Sequence, residues 1–584
     1  MQKKQRVFFS SFLVLAALLI STISVGVAFA QGHSSYGAHA SPTISAKPAT
    51  AKLVAMHTVN MHGTPAESPK SASHHTALPF LTGVSPAVYA QRKAAAAHTK
   101  NAPILKYGNA PTHSSSSDPN TPPAKANFQG MADSASICPY FGGCQPPDMA
   151  IAASTQWVFQ GVNTSYAVYD TSGNIQAGWP KNAQVFFNVP NPPNNCDPNG
   201  PFLSDPRALY DPNDGRFWSA TLQVEGAFGI APNCPFSTLY WIGVSQTSDP
   251  NGMWNVYAFD MSLGTTNGAD YTQVGFDGHA FYFGGNMFNQ AGSAYEYDEI
   301  FAANKKAMEA GQSVTAFGFA QLSVGGVLVD TVQPVQSETP SYAGPPDGLF
   351  VNTFNMNGDP SGNNCFSTAC SGVVVWAMTR PGTSHEKLTG TLVASTTYIS
   401  PPNADQPGCS QCVETIDTRI TATPVFAGGT ISWSIDTAVQ NKTQVVPAIL
   451  WGQVTPQIVN GRLKGAFLYQ SGYFGFQGDQ DASFGAMMPD QNGNLIMIYD
   501  TMSSSLNPST AYAGRRSTFP LGRFHDAGRF LQMGIVPTGD SRWGDYESTS
   551  YDGFSSDHIW MASQYSGSNG DWATVIGETQ FVKV

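Results

Sequence analysis

Residues 126–584 repeat one local pattern: a short run of β-branched and aromatic residues, a turn rich in Asp, Asn, Gly or Pro, and then a further run. Each run has the length of a β-strand, and each turn supplies residues that a hairpin needs. Examples are WVFQGVNTSYAVYD, LYDPNDGRFWSATLQV and NLIMIYDTM. Only EIFAANKKAMEAG has helical spacing, with Gly311 as its predicted stop. The pattern predicts an all-β fold of antiparallel hairpins.

The size of this region selects among all-β folds. It holds about 459 residues and all eleven Trp, too many for one β-sandwich. A ring of four-stranded blades accommodates them, so we predict a β-propeller of six to eight blades, with seven preferred. At least seven of the Trp are expected in the core between blades. A right-handed β-helix is the alternative, and it would show a shorter and more regular period.

The N-terminal part of the chain has a different composition. Residues 1–30 combine a basic start, an apolar run and an A-x-A site ending at Ala30, which predicts a secretory signal peptide. The alternative is an anchor that stays in the membrane. Residues 31–125 are rich in Ala, Ser, Thr, Pro and His and are predicted to form a disordered stalk or propeptide. The propeller domain is expected at residues 126–584, and the protein outside the cell or at its surface.

Charge is divided unevenly between the two parts. Residues 1–125 carry 11 basic and 2 acidic side chains, whereas residues 126–584 carry 17 basic and 37 acidic ones. A body with a net charge of −20 repels phosphates, which argues against nucleic-acid binding. The basic tail could contact an anionic cell wall, although a solvated spacer explains it as well. After the signal peptide no apolar run of about 20 residues follows, so no membrane span is expected.

The cysteines indicate disulfides. All eight follow residue 125, and an even number behind a signal peptide favours disulfide pairing. Sequence alone allows 105 connectivities for eight cysteines. Local pairing, with the last pair by elimination, gives Cys138–Cys144, Cys365–Cys370, Cys409–Cys412 and Cys196–Cys234.

Residues 145–580 contain, in this order, the fragments QPPDMAIAASTQWVFQGVNTSYAVYDTSGN, SDPRALYDPNDGRFWSATLQV, SQTSDPNGMWNVYAFD, ADYTQVGFDGHAFYFGGNMF, ETIDTRITATPVFAGGTISWS, MMPDQNGNLIMIYDTMSSSLNPSTAYAGR and SRWGDYESTSYD. Taken together, these fragments resemble a broad group of secreted bacterial proteins with sialidase-like β-propellers. The resemblance implies a secreted propeller but transfers no established activity. The Cys-bearing insertions around Cys196–Cys234 and Cys365–Cys370 depart from the group.

Sialidase-type hydrolysis requires arginines that bind a carboxylate, together with a Tyr–Glu nucleophile and an Asp acid. Four arginines stand in the resembling fragments: Arg207, Arg419, Arg515 and Arg542. Three of them converging at the ring's centre would indicate a ligand site. Alternatively, each pins a blade by pairing with a nearby acid. Those acids are Asp205 or Asp211 for Arg207, Asp417 for Arg419, and Asp545 for Arg542.

Acid-rich turns offer oxygen ligands for calcium, the one cofactor considered. Asp148 and Asp211 are the candidate ligands, although ordinary hairpin turns explain such sequences and none matches an EF-hand loop. The segments SDPNGMW and DPNDGRFW resemble the Asp-box of sialidase propellers, which shapes a hairpin turn and therefore supports the fold rather than an activity.

Ligand binding is the function that the sequence favours. HExxH, GxSxG and Walker A patterns are missing from residues 126–584. Tyr and Trp can stack on sugars on the loop-rich face of a propeller, and Trp543 and Trp254 are the candidate platforms, with Asp545 beside Trp543. We therefore predict an exported propeller that binds a carbohydrate or a protein. A sialidase-like glycoside hydrolase is the alternative.

Overall fold

Strands dominate the chain because its β-branched and aromatic runs pack on both faces. The computed structural model describes residues 42–64, 81–106, 121–134, 137, 145–337, 347–354, 365–366, 368–540, 542–553 and 557–582. In β-strands such as Leu495–Ser503 every residue is buried. Strands covered on both sides read as continuous apolar runs instead of alternating ones.

The described residues form seven four-stranded sheets. Within each sheet the strands that follow one another in sequence are neighbours, except that one strand near the N terminus joins the last sheet. Two N-terminal strands come first in the chain: β1 (Ile44–Asn60) and β2 (Ala124–Ala132). The first sheet contains β3 (Ala150–Ala153), β4 (Trp157–Val162), β5 (Ser165–Asp170) and β6 (Lys181–Asn182). The second contains β7 (Leu203–Asp211), β8 (Arg216–Glu225), β9 (Ser237–Ser245) and β10 (Met253–Asp260). The third contains β11 (Gly268–Phe276), β12 (Ala280–Phe288), β13 (Tyr295–Asn304) and β14 (Ala316–Val324), with β15 (Val327–Leu328) paired to β14.

The remaining sheets follow the same order. The fourth contains β16 (Gln333–Pro334), β18 (Asp347–Thr353), β19 (Val373–Thr379) and β20 (Lys387–Val393), while β17 (Gln336–Ser337) bridges the third and fifth sheets. A separate hairpin joins β21 (Ala404–Gln406) and β22 (Cys409–Val413). The fifth sheet contains β23 (Val425–Ala427), β24 (Thr430–Gln440), β25 (Val445–Ile458) and β26 (Leu463–Phe474). The sixth contains β27 (Asp481–Pro489), β28 (Leu495–Ser503), β29 (Leu506–Arg515) and β30 (Arg529–Gln532). The seventh contains β31 (Ser548–Tyr551), β32 (His558–Ser566), β33 (Trp572–Gln580) and β2.

The innermost strands of these sheets follow one another around a closed ring. The backbone N of Tyr271 in β11 donates to Asp205 in β7 at 2.9 Å. Ile151 N in β3 donates to the Ser548 hydroxyl in β31 at 3.1 Å, which joins the seventh sheet to the first. The fold is therefore a β-propeller, as predicted, and the described sheets give it the seven blades that were preferred.

The N terminus closes the ring. Strand β2 lies antiparallel to β33, with Phe128 opposite Ile576, and so supplies the outer strand of the seventh sheet. An outer strand contributed from the other end of the chain ties the first and last blades together. The predicted domain boundary at residue 126 therefore falls inside β2.

Part of the predicted disordered stalk has regular structure. Strand β1 pairs with β14 through residues 44–51 and with β10 through residues 52–60, so that it straps the outer edges of the second and third sheets. Helix α1 (Pro86–Ala96) follows, with Ser85 as its N-cap. The structure differs from the prediction there because β1 finds two exposed strand edges to pair with, a tertiary contact that composition does not reveal. The predicted signal peptide and the rest of the stalk lie outside the described residues.

Aromatic side chains fill the space between blades. Ten of the eleven Trp are buried, as expected, and Trp157 is the exception. Trp218 of the second sheet stacks on Phe281 of the third with ring centroids 4.5 Å apart. Phe474 of the fifth sheet meets Tyr499 of the sixth edge-on at 4.7 Å. Such pairs fix neighbouring blades relative to each other.

Helices are few in the described part of the chain. Besides α1 there are α2 (Ala183–Phe187) and α3 (Lys305–Glu309), with 3₁₀ turns at Met61–Gly63 and Pro193–Asn195. The helix predicted for EIFAANKKAMEAG is shorter than expected, because its first residues belong to β13, but Gly311 does end it with φ of 66°. None of these helices is long and apolar enough to span a membrane.

Three predicted disulfides are confirmed: Cys196–Cys234, Cys365–Cys370 and Cys409–Cys412. The fourth pair, Cys138–Cys144, lies outside the described residues.

Candidate functional site

One end of the ring axis is marked by a repeated backbone conformation. In every sheet one residue within or shortly before the innermost strand has a positive φ, between 48° and 66°. These residues are Asp148, Asp205, Tyr271, Thr331, Ile416, Phe484 and Gly544. Six of the seven are not Gly, and this region is strained for other residues. Strain of this kind persists only where the surroundings hold it.

Polar side chains hold these strained residues by accepting their backbone N–H groups or those beside them. Asn163 accepts from Asp205 at 2.7 Å, and Asn286 accepts from Thr331 at 2.8 Å. Further acceptors of the same kind are Asp205 for Tyr271, Asp436 for Phe484, and Asp148 for Asp545. Each of these bonds joins two sheets. Several acidic side chains near the ring axis therefore serve to join neighbouring blades.

Arg207 reaches this axial region from the second sheet. Its Nε donates to the Thr272 carbonyl at 2.7 Å and its Nη1 to the Thr421 carbonyl at 3.2 Å. Its guanidinium lies over the ring of Tyr546. The structure shows backbone carbonyls as its hydrogen-bond partners and gives it no ion pair with Asp205 or Asp211, which were the expected partners.

Arg419 and Arg542 form the predicted ion pairs. Arg419 makes a fork with Asp417, with Nε–Oδ1 and Nη2–Oδ2 distances of 2.9 and 2.7 Å. Arg542 donates to Asp545 and, at 3.3 Å, to Glu414. Both arginines are buried.

Two of the four predicted arginines flank one ring, and a third is linked to it through Asp545. Arg207 and Arg419 lie 5.5 and 4.7 Å from the centroid of Tyr271. The Tyr271 hydroxyl donates at 3.0 Å to the carbonyl of Asp545, the ion-pair partner of Arg542. The arginines converge, and the forks of Arg419 and Arg542 already bind acids of the chain.

Carboxyls outnumber the cations beside this cluster. Asp148, Asp205, Asp270 and Asp545 line one small cavity together with Arg542. Burial, reinforced by neighbouring acids, raises the pKa of Asp148 and Asp270 well above their usual range. Burial also raises the pKa of Asp545 to about 6, against the opposing effect of Arg542. Carboxyls that keep a proton near neutral pH can serve as acids or hydrogen-bond donors.

Trp543 and Trp254 do not form exposed platforms. Trp543 is 1% exposed and donates its indole N–H to Asp500 at 2.8 Å, while Trp254 is fully buried and donates to the Pro250 carbonyl. Each indole N–H donates to a partner inside the chain. The prediction that these two side chains form exposed platforms is therefore wrong.

The acid-rich turns act as hairpin turns. Asp170 and Asp490 each accept two backbone N–H groups within their own turn. Asp211 does likewise for Asn213, and the Lys305 ammonium lies between Asp211 and Asp214. Calcium at Asp211 would have to displace this ammonium. At Asp148, both carboxylate oxygens accept hydrogen bonds from the chain. Calcium at either position stays a prediction.

Residues 81–106, which we call the N-terminal segment, cover the axial region. The sequence did not predict this contact. Leu81 lines the same small cavity as the axial carboxyls. From α1, the Tyr89 hydroxyl donates to Glu414 at 3.2 Å, and Lys93 donates to the Ile416 carbonyl at 2.6 Å. Ile416 is the strained residue of the fifth sheet. The segment therefore shields the arginines and carboxyls from solvent.

An open groove of about 580 Å³ lies between the fifth and sixth sheets. Its walls are strand β26, the loop that follows β29, and residues 104–106 of the N-terminal segment. Aromatic and hydrogen-bonding side chains share its lining: Tyr473, Phe519, Phe524, Lys442, Gln477, Arg523, His525 and Asp526. Tyr473, Phe519 and Phe524 are partly exposed there. No sequence pattern brought these distant residues together.

Arg515, the fourth predicted arginine, belongs to this groove instead of the axis. It lies at the end of β29 and donates to the carbonyls of Phe519 at 2.9 Å and Arg523 at 3.1 Å. Its side chain thereby shapes the loop that forms one wall. We define this loop, residues 516–528, as the groove loop.

Comparison with known proteins finds solved structures of low similarity. No family model and no curated protein matches the chain. Trypanosoma rangeli sialidase in complex with sialic acid is 11% identical with a TM-score of 0.32, covering 65% of this chain and 54% of its own. Drosophila Semaphorin 1b, extracellular domains 1–2, is 9% identical with a TM-score of 0.36, covering 79% and 87%. Penicillium chrysogenum α-L-arabinanase complexed with arabinobiose is 8% identical with a TM-score of 0.32, covering 79% and 100%.

The chain thus spans about half the length of the sialidase. Similarity this low assigns no activity to this chain.

Proposed function

We propose that the chain acts outside the cell as a binding propeller and that its groove binds carbohydrate. The observation that carries this proposal is the 580 Å³ groove with three partly exposed rings and several hydrogen-bonding side chains. Grooves of this size accommodate small ligands. Sugar rings present C–H faces that pack on aromatic rings and hydroxyls that need hydrogen bonds.

The groove offers both kinds of contact. Within the groove loop, the rings of Phe519 and His525 meet edge-on with their centroids 4.9 Å apart. His525 is exposed, and its ring nitrogen lies 3.2 Å from a carboxylate oxygen of Asp526. Gln477 and Lys442 also line the groove. Donors and acceptors therefore surround the rings, as hydroxyl-rich ligands require.

The disulfides support export from the cell. The three disulfides persist in oxidising compartments and are rare in reducing ones. Together with the predicted signal peptide, they support a location outside the cell or at its surface.

A sialidase-like hydrolase acting at the axis is the second candidate function. The position of Arg207 and Arg419 on the Tyr271 ring, with Arg542 linked to it through Asp545, favours it. Hydrolysis also needs arginines free to hold a substrate carboxylate and two carboxyls about 5 to 10 Å apart in an open funnel. Arg419 and Arg542 are already paired with Asp417 and Asp545 beneath the N-terminal segment, so neither is free to hold a substrate carboxylate. This arrangement favours the binding function over hydrolysis.

The test uses the full secreted chain with its disulfides intact, on a glycan array and on a panel of chromogenic glycosides. We expect retention of a glycan without turnover, and a loss of affinity of about tenfold or more in Phe519→Ala and Tyr473→Ala. The matched controls are Phe467→Ala and Tyr469→Ala, which remove exposed rings of β26 that do not line the groove.

Equal loss in the controls, or unchanged binding in both groove variants, would remove the groove from the proposal. Turnover that disappears in Arg419→Ala while the melting temperature holds would assign hydrolysis at the axis instead.

A further inference from the structure

Lys93 is a buried cation supplied to the axial region by a segment outside the propeller ring. It stands on α1, is 3% exposed, and donates to the Thr415 hydroxyl at 2.9 Å and the Ile416 carbonyl at 2.6 Å. Lysines are rarely buried unless they are paired. The docking of α1 therefore depends on what surrounds this ammonium.

Acidic groups of the ring face Lys93 from two sides. Glu414 and Asp417 precede the inner strand of the fifth sheet, and Asp436 lies on β24. All three favour the charged form of Lys93, although burial outweighs them and lowers its pKa to about 8. Asp417 and Glu414 also pair with Arg419 and Arg542 of the ring, so Asp436 is the carboxyl of the three without an ion-pair partner in the described part of the ring, and Lys93 is the cation that the N-terminal segment adds near it.

Asp436 gives an independent sign that this pocket is built for a donor. Its side chain is fully buried, and Oδ1 accepts the backbone N–H of Phe484 at 2.8 Å. Its Oδ2 is buried with no hydrogen-bond partner among the described residues. Burial raises the pKa of Asp436 well above its usual range, and a cationic N–H donor beside Oδ2 would satisfy this oxygen and, like the Lys93 ammonium, favour the charged carboxylate.

The rest of the segment contacts the ring at separate points. Tyr89 donates to Glu414, and Leu81 lines the small axial cavity. Leu105 N donates to the Gln440 carbonyl at 2.9 Å and Gln440 N donates to the Pro103 carbonyl at 2.8 Å, so residues 103–105 are bridged to β24. No residue of α1 pairs with a strand, so the helix can leave the ring while this bridge stays intact.

We propose that the pocket formed by Glu414, Thr415, Ile416 and Asp436 is a binding site for an alkylammonium group, and that Lys93 occupies it as an internal ligand. The external ligand is a free alkylamine or the lysine side chain of a protein, since the two share the same chemistry. Such a ligand competes with Lys93 and displaces α1. The site is separate from the carbohydrate groove, so either can fail without the other.

The test begins with Lys93→Ala in the full chain. Truncation removes Cγ, Cδ, Cε and Nζ and leaves room for a three-carbon ammonium, so n-propylammonium should raise the melting temperature of this variant by several degrees. n-Propanol, which has the same length without the charge, should not. Lys100→Ala, an exposed lysine on the same segment, is the matched control and should respond to neither.

A second arm distinguishes the two sources. A short peptide containing one lysine should bind Lys93→Ala at least tenfold more tightly than wild type, and its norleucine counterpart should bind neither. In the wild type, an excess of the lysine peptide should increase hydrogen exchange of residues 86–96. Lys93→Met, which keeps most of the packing but lacks the ammonium, serves if Lys93→Ala does not fold; because Met makes none of the hydrogen bonds of Lys93, this variant should bind the lysine peptide more tightly than wild type does.

Response to n-propylammonium alone assigns the site to free amines, and response to the peptide assigns it to a lysine side chain. Absence of both responses in a folded Lys93→Ala chain, or equal responses in Lys100→Ala, overturns the proposal.

Discussion

The guanidinium carbon of Arg207 lies 3.3 Å from the centroid of the Tyr546 ring. Arg207 belongs to the second sheet, whereas Tyr546 precedes the inner strand of the seventh, so the contact reaches past the first sheet. The Tyr546 hydroxyl donates at 2.9 Å to the carbonyl of Pro206, which adds a second link. Stacking of a buried guanidinium on a phenol ring explains how this cation is tolerated without a carboxylate in hydrogen-bond contact.

Replacing Arg207 with Lys should destabilise the propeller. The ammonium cannot stack as a plane or reach the Thr272 and Thr421 carbonyls together. We expect the free energy of unfolding to fall by about 2 kcal/mol, measured by urea denaturation. Arg462→Lys, at an exposed position, is the control and should change it by less than about 0.5 kcal/mol. Equal effects of the two variants would show that the stack contributes nothing.

The repeated hairpin pattern was enough to predict the propeller, because each strand run and each turn is encoded locally. WVFQGV and SYAVYD pair as β4 and β5 around a turn at residues 163–164, for example. Disulfides closing short loops could also be predicted, since nearby cysteines meet in any compact fold.

Features that depend on tertiary contacts could not be predicted. The residues that form β1 alternate weakly within an Ala-rich segment, and only the free edges of β10 and β14 make them a strand. The burial of Trp543 depends on Asp500, 43 residues away, as its hydrogen-bond partner. The groove joins residues of β26, the groove loop and the N-terminal segment, which no local signal connects.

Removing the disulfides should reveal unequal contributions. Cys196–Cys234 spans 38 residues and Cys365–Cys370 spans 5. On the chain-entropy model these loops contribute about 4 and about 2 kcal/mol, because a longer cross-link restricts the unfolded chain more. Double substitution to Ser in each pair, followed by calorimetry, should therefore lower the melting temperature more for the first pair. The reverse order would show that native-state contacts decide instead.

Asp500 should make the chain less stable as the pH rises from 4 to 7. Its carboxyl accepts from Trp543, Ser563 and Gln564, yet burial still raises its pKa to about 7. The folded state therefore keeps a proton that the unfolded state loses near pH 4, and the free energy of unfolding falls across this window. A shift of this size corresponds to about 4 kcal/mol at most.

The amide of Asp500→Asn does not titrate, so this variant should gain stability relative to wild type by up to that amount between pH 4 and 7. Urea denaturation at pH 4.5, 6 and 7.5 measures the difference. Asp249→Asn, at a half-buried position in the turn between β9 and β10, is the control. A difference between wild type and Asp500→Asn that stays constant with pH would place the pKa of Asp500 at its ordinary value.

Gly472→Ala should alter the groove while sparing the propeller. A Cβ at Gly472 would lie 1.9 Å from the carbonyl oxygen of Gly522 in the groove loop, closer than any stable contact. Backbone cannot yield as a side-chain end can, so the groove loop must move away from β26. The inner strands are remote from this contact. We therefore expect at least tenfold weaker glycan binding with a change in melting temperature of only a few degrees.

Gly465→Ala provides the matched control on the same strand. Its Cβ would meet only the side-chain oxygen of Gln457 at 3.2 Å, and that side chain can swing aside. Binding should therefore survive in Gly465→Ala, as measured on the same glycan by calorimetric titration. If Gly472→Ala binds like wild type, the close approach of Gly472 and Gly522 does not shape the ligand site. If it unfolds, the loop contact stabilises the sixth sheet, and Phe519→Ala then remains the variant that tests the groove.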